Sequence, residues 1–305
     1  MIDKLEMFIS LAREGHFGRA AEACGVTQPT LSSAIRALED QLGVQLVFRG
    51  SRYQGLTAEG ERVLDWARRI VADVRGMRDE VRTLRKGLSG VLRLGVIPTA
   101  LPMVQGLTTA LLARHPNVRM MVLSRTSAEI LAGIEQFDLD AGITYLDNEP
   151  LGREPLGRIA QLPLYAEEYR LILGPGMEAP PLQDGCVAWA EIAKLPLCLL
   201  TGDMQNRRIV DHQLAQAGSA PRPGAGPAIE TNSNIVLVSH VMTGTWASVM
   251  PQKLADLFAD LPGLRSLPVT GPRVTHAVGL VATRRDPPLP LVAALFEAVG
   301  VIDPQ

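Results

Sequence analysis

The chain has 305 residues, of which 47% are hydrophobic and 20% charged, and its formal net charge at pH 7 is −2. This length allows two or three domains with buried cores, and the composition excludes a disordered chain. No apolar run is long enough to cross a bilayer and no signal peptide is evident, so we expect a cytoplasmic protein. Basic residues outnumber acidic ones up to Gly90, which favours a nucleic-acid-binding module there.

Two short helices joined by a tight turn are predicted after an opening helix from about Asp3 to Glu14. The first spans Phe17 to Cys24, and Gly25 tolerates the left-handed conformation on which helices often end. Thr27 is a good N-cap for the second helix. One face of the second helix is apolar, at Leu31, Ile35, Leu38 and Leu42.

The opposite face of the second helix is polar and uncrowded. Such a face suits the major groove of DNA, where hydroxyls and amides can hydrogen-bond to base edges and arginine can reach a phosphate or a guanine. The pattern is that of a helix-turn-helix whose second helix is the recognition helix. The alternative is a pair of packed helices without a role in nucleic-acid binding. The candidate DNA-binding residues of this helix are Gln28, Pro29, Thr30, Ser32, Ser33 and Arg36.

A short β-hairpin is predicted directly after the recognition helix. Leu46 to Arg49 and Tyr53 to Thr57 have the composition of strands, and Gly50-Ser51-Arg52 between them suits a turn. Such a hairpin is the wing of a winged helix-turn-helix. It would hold Arg49 and Arg52 near the DNA backbone, so both are candidate DNA-binding residues.

The amino-terminal part of the chain resembles the winged helix-turn-helix of LysR-type transcriptional regulators. The resemblance rests on a long pattern without gaps: His16-Phe17, Ala20-Ala21, Val26-Thr27-Gln28-Pro29, Ser32, Ile35, Leu38-Glu39, Leu42-Gly43, Leu56-Thr57 and Gly60. One departure is Ser33, where the family often has arginine. The resemblance implies a DNA-binding domain at 1–57, a linker and dimerisation helix at 58–89, and an effector-binding domain at 90–305.

A long helix is predicted after Thr57. Eight apolar positions between Val63 and Leu88 follow in alternating steps of four and three. Such a heptad seam on an otherwise charged helix needs a partner helix. The seam could pack on its own chain, but no other segment offers a matching seam, so we favour a second copy. Two copies would present two recognition helices to two DNA half-sites, and the choice between homodimer and homotetramer stays open.

Alternating strand and helix patterns follow Gly90. Near-continuous apolar strands, such as Val118 to Ser124 and Tyr169 to Leu173, predict a doubly wound α/β fold with a parallel sheet covered on both faces. We expect two lobes, with lobe I at about 90–161 and 269–305 and lobe II at about 162–268. In the family this domain resembles a type-2 periplasmic binding protein, with two lobes, two crossovers and a ligand in the cleft between them.

Four loops that follow predicted strands or open helices carry hydroxyls or amides. Ligands of open α/β sheets bind beyond the carboxyl ends of the strands, and a helix N-terminus favours an anion. Each loop could instead be an ordinary N-cap. Arg125 and Arg207 are candidate counter-charges for an anionic ligand. In the family, the loops that match Thr99, Thr126 and Thr201 contact effectors. The candidate effector-binding residues are Thr99, Ala100, Thr126, Ser127, Thr201, Gln205 and Asn232.

A narrower resemblance concerns the run from Ser124 to Gly152, Asn206-Arg207-Arg208 and Trp246-Ala247-Ser248. These stretches look like a subgroup of the family that is often linked to formate dehydrogenase genes. The resemblance implies formate or another small carboxylate as the effector.

The sequence contains no motif of an enzyme or a metal site. P-loop, dinucleotide-binding, serine-hydrolase and zinc-protease patterns are absent, and the five histidines are scattered. We expect His16 to be structural. Cys24, Cys186 and Cys198 are too few and too widely spaced for a disulfide framework or a zinc site. Cys24 is expected to be a buried structural side chain, with a redox sensor as the alternative. We therefore expect no catalysis, no cofactor and no metal.

The sequence as a whole predicts a regulator that binds a promoter site in double-stranded DNA under the control of a small anionic effector. The resemblance also admits RNA polymerase as a partner and implies no membrane. The alternative is a cytoplasmic small-molecule sensor or solute-binding protein that acts through a protein partner. Binding to operator-sized DNA at increasing salt would separate the two, because phosphate contacts make DNA affinity steeply dependent on salt.

Overall fold

The structure is a computed structural model that describes residues 1–48, 53–147, 159–217, 227–270 and 275–300. The chain divides into two compact units, Met1–Leu88 with Gln136–Asp138, and Ser89–Glu135 with Leu139–Gln305. Among the described helices, none combines the length and the apolar character needed to span a membrane.

The first unit contains the predicted helix-turn-helix. Its described helices are α1 (Ile2–Glu14), α2 (Phe17–Ala23), α3 (Gln28–Leu42) and α4 (Ala58–Lys86). They bury a common core in which Phe8, Leu31 and Leu38 are completely inaccessible to solvent. The prediction that Leu42 joins this core is wrong, because its side chain is 41% exposed. It lies in the last turn of α3, where the chain leaves the helix through Gly43 in the left-handed conformation.

Side-chain caps start both α2 and α3, and a left-handed glycine lies in the turn between the two helices. The Thr27 hydroxyl accepts the N–H of Thr30, which confirms the predicted N-cap of α3. Gly25 has a φ of +65°, the left-handed conformation expected of it. His16 Nδ1 accepts the N–H of Gly18 at 3.0 Å. His16 therefore caps α2, and its predicted structural role is confirmed.

The base of the predicted wing is present after α3. Val47 and Leu56 form an antiparallel β-bridge, whereas Arg49 and Arg52 lie outside the described residues. Glu39 Oε1 in α3 accepts the backbone N–H of Leu46 at 2.8 Å and that of Val47 at 3.3 Å. This carboxylate therefore ties the root of the wing to the recognition helix.

The long helix α4 packs part of its apolar seam against the core of its own unit and leaves another part exposed to solvent. Thr57 caps it as predicted, by accepting the N–H of Gly60 at 2.9 Å. Ala67, the second position of the predicted seam, belongs to the core of the first unit. Ile70, Met77 and Val81, further along the seam, are 37%, 58% and 51% exposed. The seam is therefore covered within the chain at Ala67 and exposed to solvent at Ile70, Met77 and Val81.

Two five-stranded sheets form the second unit. The first has the order β2-β1-β3-β12-β4 and the second β10-β5-β11-β7-β6, and β8 and β9 form a separate pair. The strands are β1 (Gly90–Val96), β2 (Val118–Ser124), β3 (Ala141–Tyr145), β4 (Ile159–Glu167), β5 (Tyr169–Leu173), β6 (Leu182–Gln183), β7 (Cys186–Ala188), β8 (Cys198–Leu200), β9 (Ile229–Thr231), β10 (Ala247–Pro251), β11 (Arg265–Thr270) and β12 (His276–Thr283).

Helices connect and cover these strands. They are a 3-10 helix (Pro98–Met103), α5 (Val104–Arg114), α6 (Ser127–Glu135), α7 (Trp189–Ile192), α8 (Gln205–Gln216), α9 (Asn234–Val241), α10 (Gln252–Asp256) and α11 (Pro290–Val299). A Cβ on Gly142 would lie 2.2 Å from the side chain of Ile130. Glycine at this place in β3 therefore allows α6 to lie close against the first sheet.

Both sheets are mixed, so the prediction of a parallel sheet is correct in part. β1 pairs in parallel with β2 and β3, whereas β12 is antiparallel to β3 and β4. In the second sheet β5 is antiparallel to β10 and β11. β11 is parallel to β7, which makes the second sheet mixed as well.

The strands β4 and β12, which lead to the two crossovers between the lobes, are neighbours in the first sheet. The first sheet and its helices form lobe I, and the second sheet with the β8-β9 pair forms lobe II. The chain passes to lobe II between Glu167 and Tyr169 and returns between Thr270 and His276, in each case a few residues later than predicted. Glu167 and His276 face each other in the register of β4 and β12. Both crossovers therefore meet at one hinge.

Candidate functional site

The first candidate surface is the outward face of α3, which we call the recognition surface. Gln28, Pro29, Thr30, Ser33 and Arg36 are exposed, and Ser32 is half-buried. Arg36 forms no ion pair with any residue that the structure describes. The surface is therefore polar and free of bulky side chains, and its one arginine retains an uncompensated charge.

The second candidate site is a cleft between the two lobes, which we call the interlobe cleft. The carboxyl ends of β1, β2 and β8 lead into it. Its volume is about 10 Å³, room for about one water molecule, so the lobes are closed. The residues that line it are Ile97, Pro98, Thr99, Thr126, Ser127, Tyr145, Leu200, Met204, Gln205 and Asn206.

Four of the seven predicted effector-binding residues line the interlobe cleft: Thr99, Thr126, Ser127 and Gln205. Ala100 is buried directly behind Thr99, and Thr201 lies half-buried at the end of β8. Asn232 is exposed and is not among the lining residues. Asn234, in the same predicted loop, donates from its Nδ2 to the carbonyl oxygen of Pro98 across the cleft at 2.8 Å.

Buried polar atoms without partners surround the cleft. Thr99 Oγ1, Ser127 Oγ and Asn206 Nδ2 make no hydrogen bond of ordinary geometry with the described residues, although Thr99 lies near the Glu167 carboxyl group and Asn206 near the Tyr169 hydroxyl. Their residues are 2%, 4% and 5% exposed, so bulk solvent does not reach these atoms. A buried polar group left unpaired costs about 1–3 kcal/mol. These atoms therefore favour a polar ligand that would restore their hydrogen bonds.

The two helices that begin at the cleft differ in their caps. Thr126 and Glu129 form a capping box at α6, in which Glu129 Oε2 accepts the N–H of Thr126 at 2.8 Å and the Thr126 hydroxyl accepts the N–H of Glu129 at 3.2 Å. α8 begins after Met204 with no side-chain cap. Its first N–H groups, at Gln205 and Asn206, therefore remain available to an anion, whereas Thr126 has the structural role of a cap.

Neither predicted counter-charge is available in the cleft. The Arg207 guanidinium is buried and pairs with Asp211 at 2.8 Å and Glu230 at 2.9 Å. Arg125 is exposed and donates to the carbonyl oxygen of Ser124. The charge of an anion in the cleft would therefore be balanced by N–H and O–H donors rather than by arginine.

A buried carboxyl group lies at the hinge beneath the cleft. Glu167 is 2% exposed, and its Oε2 accepts a hydrogen bond from the Tyr145 hydroxyl at 2.7 Å. Its Oε1 has no partner among the described residues. Burial raises the pKa of Glu167 to about 7, against the lowering effects of Tyr145 and Thr99. Thr99 Oγ1 is near this carboxyl but does not meet it in ordinary hydrogen-bond geometry.

Aromatic side chains enclose this carboxyl from both crossovers. The ring of His276 lies edge-on to Tyr145, with centroids 6.1 Å apart, and edge-on to Tyr169 at 6.4 Å. His276 Nδ1 is 3.1 Å from Asp147 Oδ2. Burial, and secondly the charge of Glu167, raise the pKa values of Tyr145 and Tyr169. The cluster was not predicted, since Glu167-Glu168 has the composition of an exposed turn.

The raised pKa of Glu167 predicts a pH dependence of folding stability. Between pH 4.5, the ordinary pKa of a glutamate, and about pH 7, the folded chain binds more protons than the unfolded chain. The contribution of Glu167 to stability therefore falls as the pH rises through this window, by up to about 3 kcal/mol. In urea denaturation, the free energy of unfolding of Glu167→Gln should increase relative to that of the wild type as the pH rises from 4.5 to about 7. Above about pH 7 the difference should stay constant.

Glu168→Gln is the matched control, because Glu168 is exposed on the same crossover. Its stability relative to the wild type should not change with pH in this window. A difference between Glu167→Gln and wild type that stays constant from acid to alkaline pH would contradict the assignment.

Two families match the chain. The family described as LysR substrate binding domain matches residues 85–300. The family described as bacterial regulatory helix-turn-helix protein, lysR family, matches residues 2–61. The matches cover the interlobe cleft and the recognition surface respectively.

Relatives and solved structures of similar length agree with these matches. A protein of Streptomyces viridosporus, named a probable hydrogen peroxide-inducible genes activator, is 30% identical over 97% of this chain and 93% of its own. A full-length OxyR variant from Pseudomonas aeruginosa is similar in structure, with a TM-score of 0.69, 23% identity and coverage of 99% and 98%. Full-length CbnR complexed with its target DNA gives a TM-score of 0.64, also at 23% identity, with coverage of 99% of each chain. At this identity the structural likeness concerns the fold.

Proposed function

The chain belongs to the LysR family and is a DNA-binding transcriptional regulator with an effector-binding domain, and from this premise we propose which residues bind and what they bind. The recognition surface on α3 contacts the promoter. The interlobe cleft binds a small carboxylate such as formate. Both activities are binding, and both operate in the cytoplasm, where the promoter is.

The observation that carries the ligand assignment is the set of unpaired donors in the cleft. Asn206 Nδ2 can only donate, and the hydroxyls of Thr99 and Ser127 can donate as well. The uncapped N-terminus of α8 adds backbone N–H groups and the positive end of its dipole. A carboxylate offers only acceptors and one negative charge, so it matches this arrangement. The cleft has room for about one water molecule, so formate, with three heavy atoms, enters only when the lobes part slightly, and larger ligands require a wider opening.

Peroxide is the second candidate stimulus, because the Streptomyces viridosporus relative is named for it. A thiol that reacts with peroxide does so as an accessible thiolate. Cys198 is buried in β8, and burial raises the pKa of its thiol, which disfavours the thiolate. Cys24 is half-buried against the core of the first unit, so its predicted burial is correct in part. None of the residues that line the cleft is cysteine. The chemistry of the cleft therefore favours a ligand that binds without a covalent step.

The exposed part of the α4 seam supports assembly with a second copy of the chain. Ile70 and Met77 lie seven residues apart and Met77 and Val81 four, so the three side chains share one face of the helix, and they remain uncovered. The ring of Trp66 is also 63% exposed. A second α4 packed along this stripe would bury these side chains and bring two recognition surfaces to one promoter.

The recognition surface is tested by Arg36→Ala. Loss of this arginine should weaken promoter binding about tenfold, since a contact from arginine to DNA contributes about 1–3 kcal/mol. Fluorescence anisotropy with promoter DNA at several salt concentrations measures the change. A phosphate contact would lower the salt slope by about 1, and a guanine contact would relax sequence preference instead.

Arg13→Ala is the control for charge, because Arg13 lies in α1, outside the recognition surface, and is exposed beside Glu14. It removes the same charge from the first unit and should leave promoter affinity within about twofold. Equal loss in both variants would show that the net charge of the unit matters and the α3 face does not.

The interlobe cleft is tested by Asn206→Asp. The substitution keeps the size of the side chain but replaces an N–H donor with a negative charge, so binding of sodium formate should be abolished. Isothermal titration calorimetry with the full chain measures it. Asn232→Asp makes the same chemical change at an exposed residue outside the cleft and should bind formate as the wild type does. Formate binding that survives in Asn206→Asp would refute the proposed site.

A further inference from the structure

Glu167 shares its neighbours with the interlobe cleft. Tyr145 lines the cleft and also donates its hydroxyl hydrogen to Glu167 Oε2 at 2.7 Å. Thr99 lines the cleft and lies near the same carboxyl group. An anion in the cleft would therefore be one side chain away from a second carboxyl group, in a region from which water is excluded.

We propose that Glu167 takes up one proton when a carboxylate enters the interlobe cleft, so that the protein binds its anionic effector together with a proton. The inference rests on the proposed carboxylate ligand and assigns Glu167 as the residue that makes its affinity depend on pH. Two carboxylates that share a dry site repel each other, and protonation of one removes the repulsion.

Among the described residues, no lysine or arginine acts on the pKa of Glu167. Its titratable neighbours are Tyr145 and Asp147 from β3 and the turn after it, Tyr165 from β4, Tyr169 from β5 and His276 from β12. Asn206 from α8 and Thr99 from the 3-10 helix are polar and uncharged. Among the described residues the nearest buried guanidinium in lobe II, that of Arg207, is already paired with two carboxylates.

The proton also reverses a hydrogen bond in favour of the ligand. While Glu167 is ionised, the Tyr145 hydroxyl donates its hydrogen to the carboxylate. Once a proton from solvent is bound to Glu167, the carboxyl group can donate to the oxygen of Tyr145. The hydroxyl hydrogen of Tyr145 can then point to the carboxylate in the cleft. One proton is taken up and no covalent bond between heavy atoms changes.

The proton is available under physiological conditions. Burial raises the pKa of Glu167 to about 7, so ionised and protonated forms coexist near neutral pH. An anion bound nearby would raise this pKa further. His276 is the competing proton acceptor, because its Nδ1 lies 3.1 Å from Asp147, and the variants below separate the two.

The test is calorimetric titration of the full chain with sodium formate from about pH 5.5 to 8.5, in buffers of different ionisation enthalpy, which together report affinity and protons taken up. Formate stays ionised throughout this range. The wild type should take up few protons at the acid end and close to one per formate at the alkaline end. Its affinity should fall towards tenfold per pH unit above about pH 7.

Three variants locate the proton. Glu167→Gln should bind formate with an affinity independent of pH and with no proton uptake, whereas Glu168→Gln should behave as the wild type. Tyr145→Phe removes a hydrogen bond that lowers the pKa of Glu167. It should weaken binding at every pH and move the fall in affinity to higher pH, which keeps the test open if Glu167→Gln does not fold.

The outcomes separate this inference from the proposed function. Formate binding whose affinity in the wild type does not change with pH would overturn the role of Glu167 and leave the carboxylate assignment standing. Proton uptake that persists in Glu167→Gln would also overturn it, in favour of His276. Absence of formate binding at every pH would overturn the proposed ligand and this inference with it.

Discussion

The second unit depends on the way its two lobes are joined. The chain crosses between them on adjacent antiparallel strands, β4 and β12, and the register of these strands sets Glu167 opposite His276. Because both crossovers meet there, side chains from both lobes close over one buried carboxyl group, and the cleft opens directly above it. The position of the cleft, its polar lining and its coupling to a titratable group all follow from this one hinge.

Closure of the cleft has a cost that a ligand can offset. Thr99, Ser127 and Asn206 are buried with unpaired polar atoms when the lobes are closed. In an open form water would satisfy the same atoms, so the closed form is disfavoured until a ligand replaces the lost hydrogen bonds. A ligand shifts such an equilibrium by the difference between its affinities for the two forms. A small carboxylate that meets these donors in the closed form alone would therefore control lobe closure.

Local patterns in the sequence were sufficient for the first unit and for many elements of the second. Caps such as Thr27 and Thr57 and the strands Val118–Ser124 and Tyr169–Leu173 lie where they were predicted, since these signals come from neighbouring residues. β4 and β11 were missed, because crossover strands are defined by partners distant in sequence. Glu167 was missed for the same reason. The pairing of Arg207 in α8 with Glu230 in β9 could not be predicted either, because the two residues are distant in sequence.

A crystal structure of the full chain grown with sodium formate, at a resolution that distinguishes the bent three-atom anion from water, would show whether the interlobe cleft holds a carboxylate. We expect a formate ion in the interlobe cleft, with its oxygens within hydrogen-bonding distance of Asn206 Nδ2 and the first N–H groups of α8. A cleft without the anion, in crystals that hold formate on another surface, would rule out the cleft as the carboxylate site.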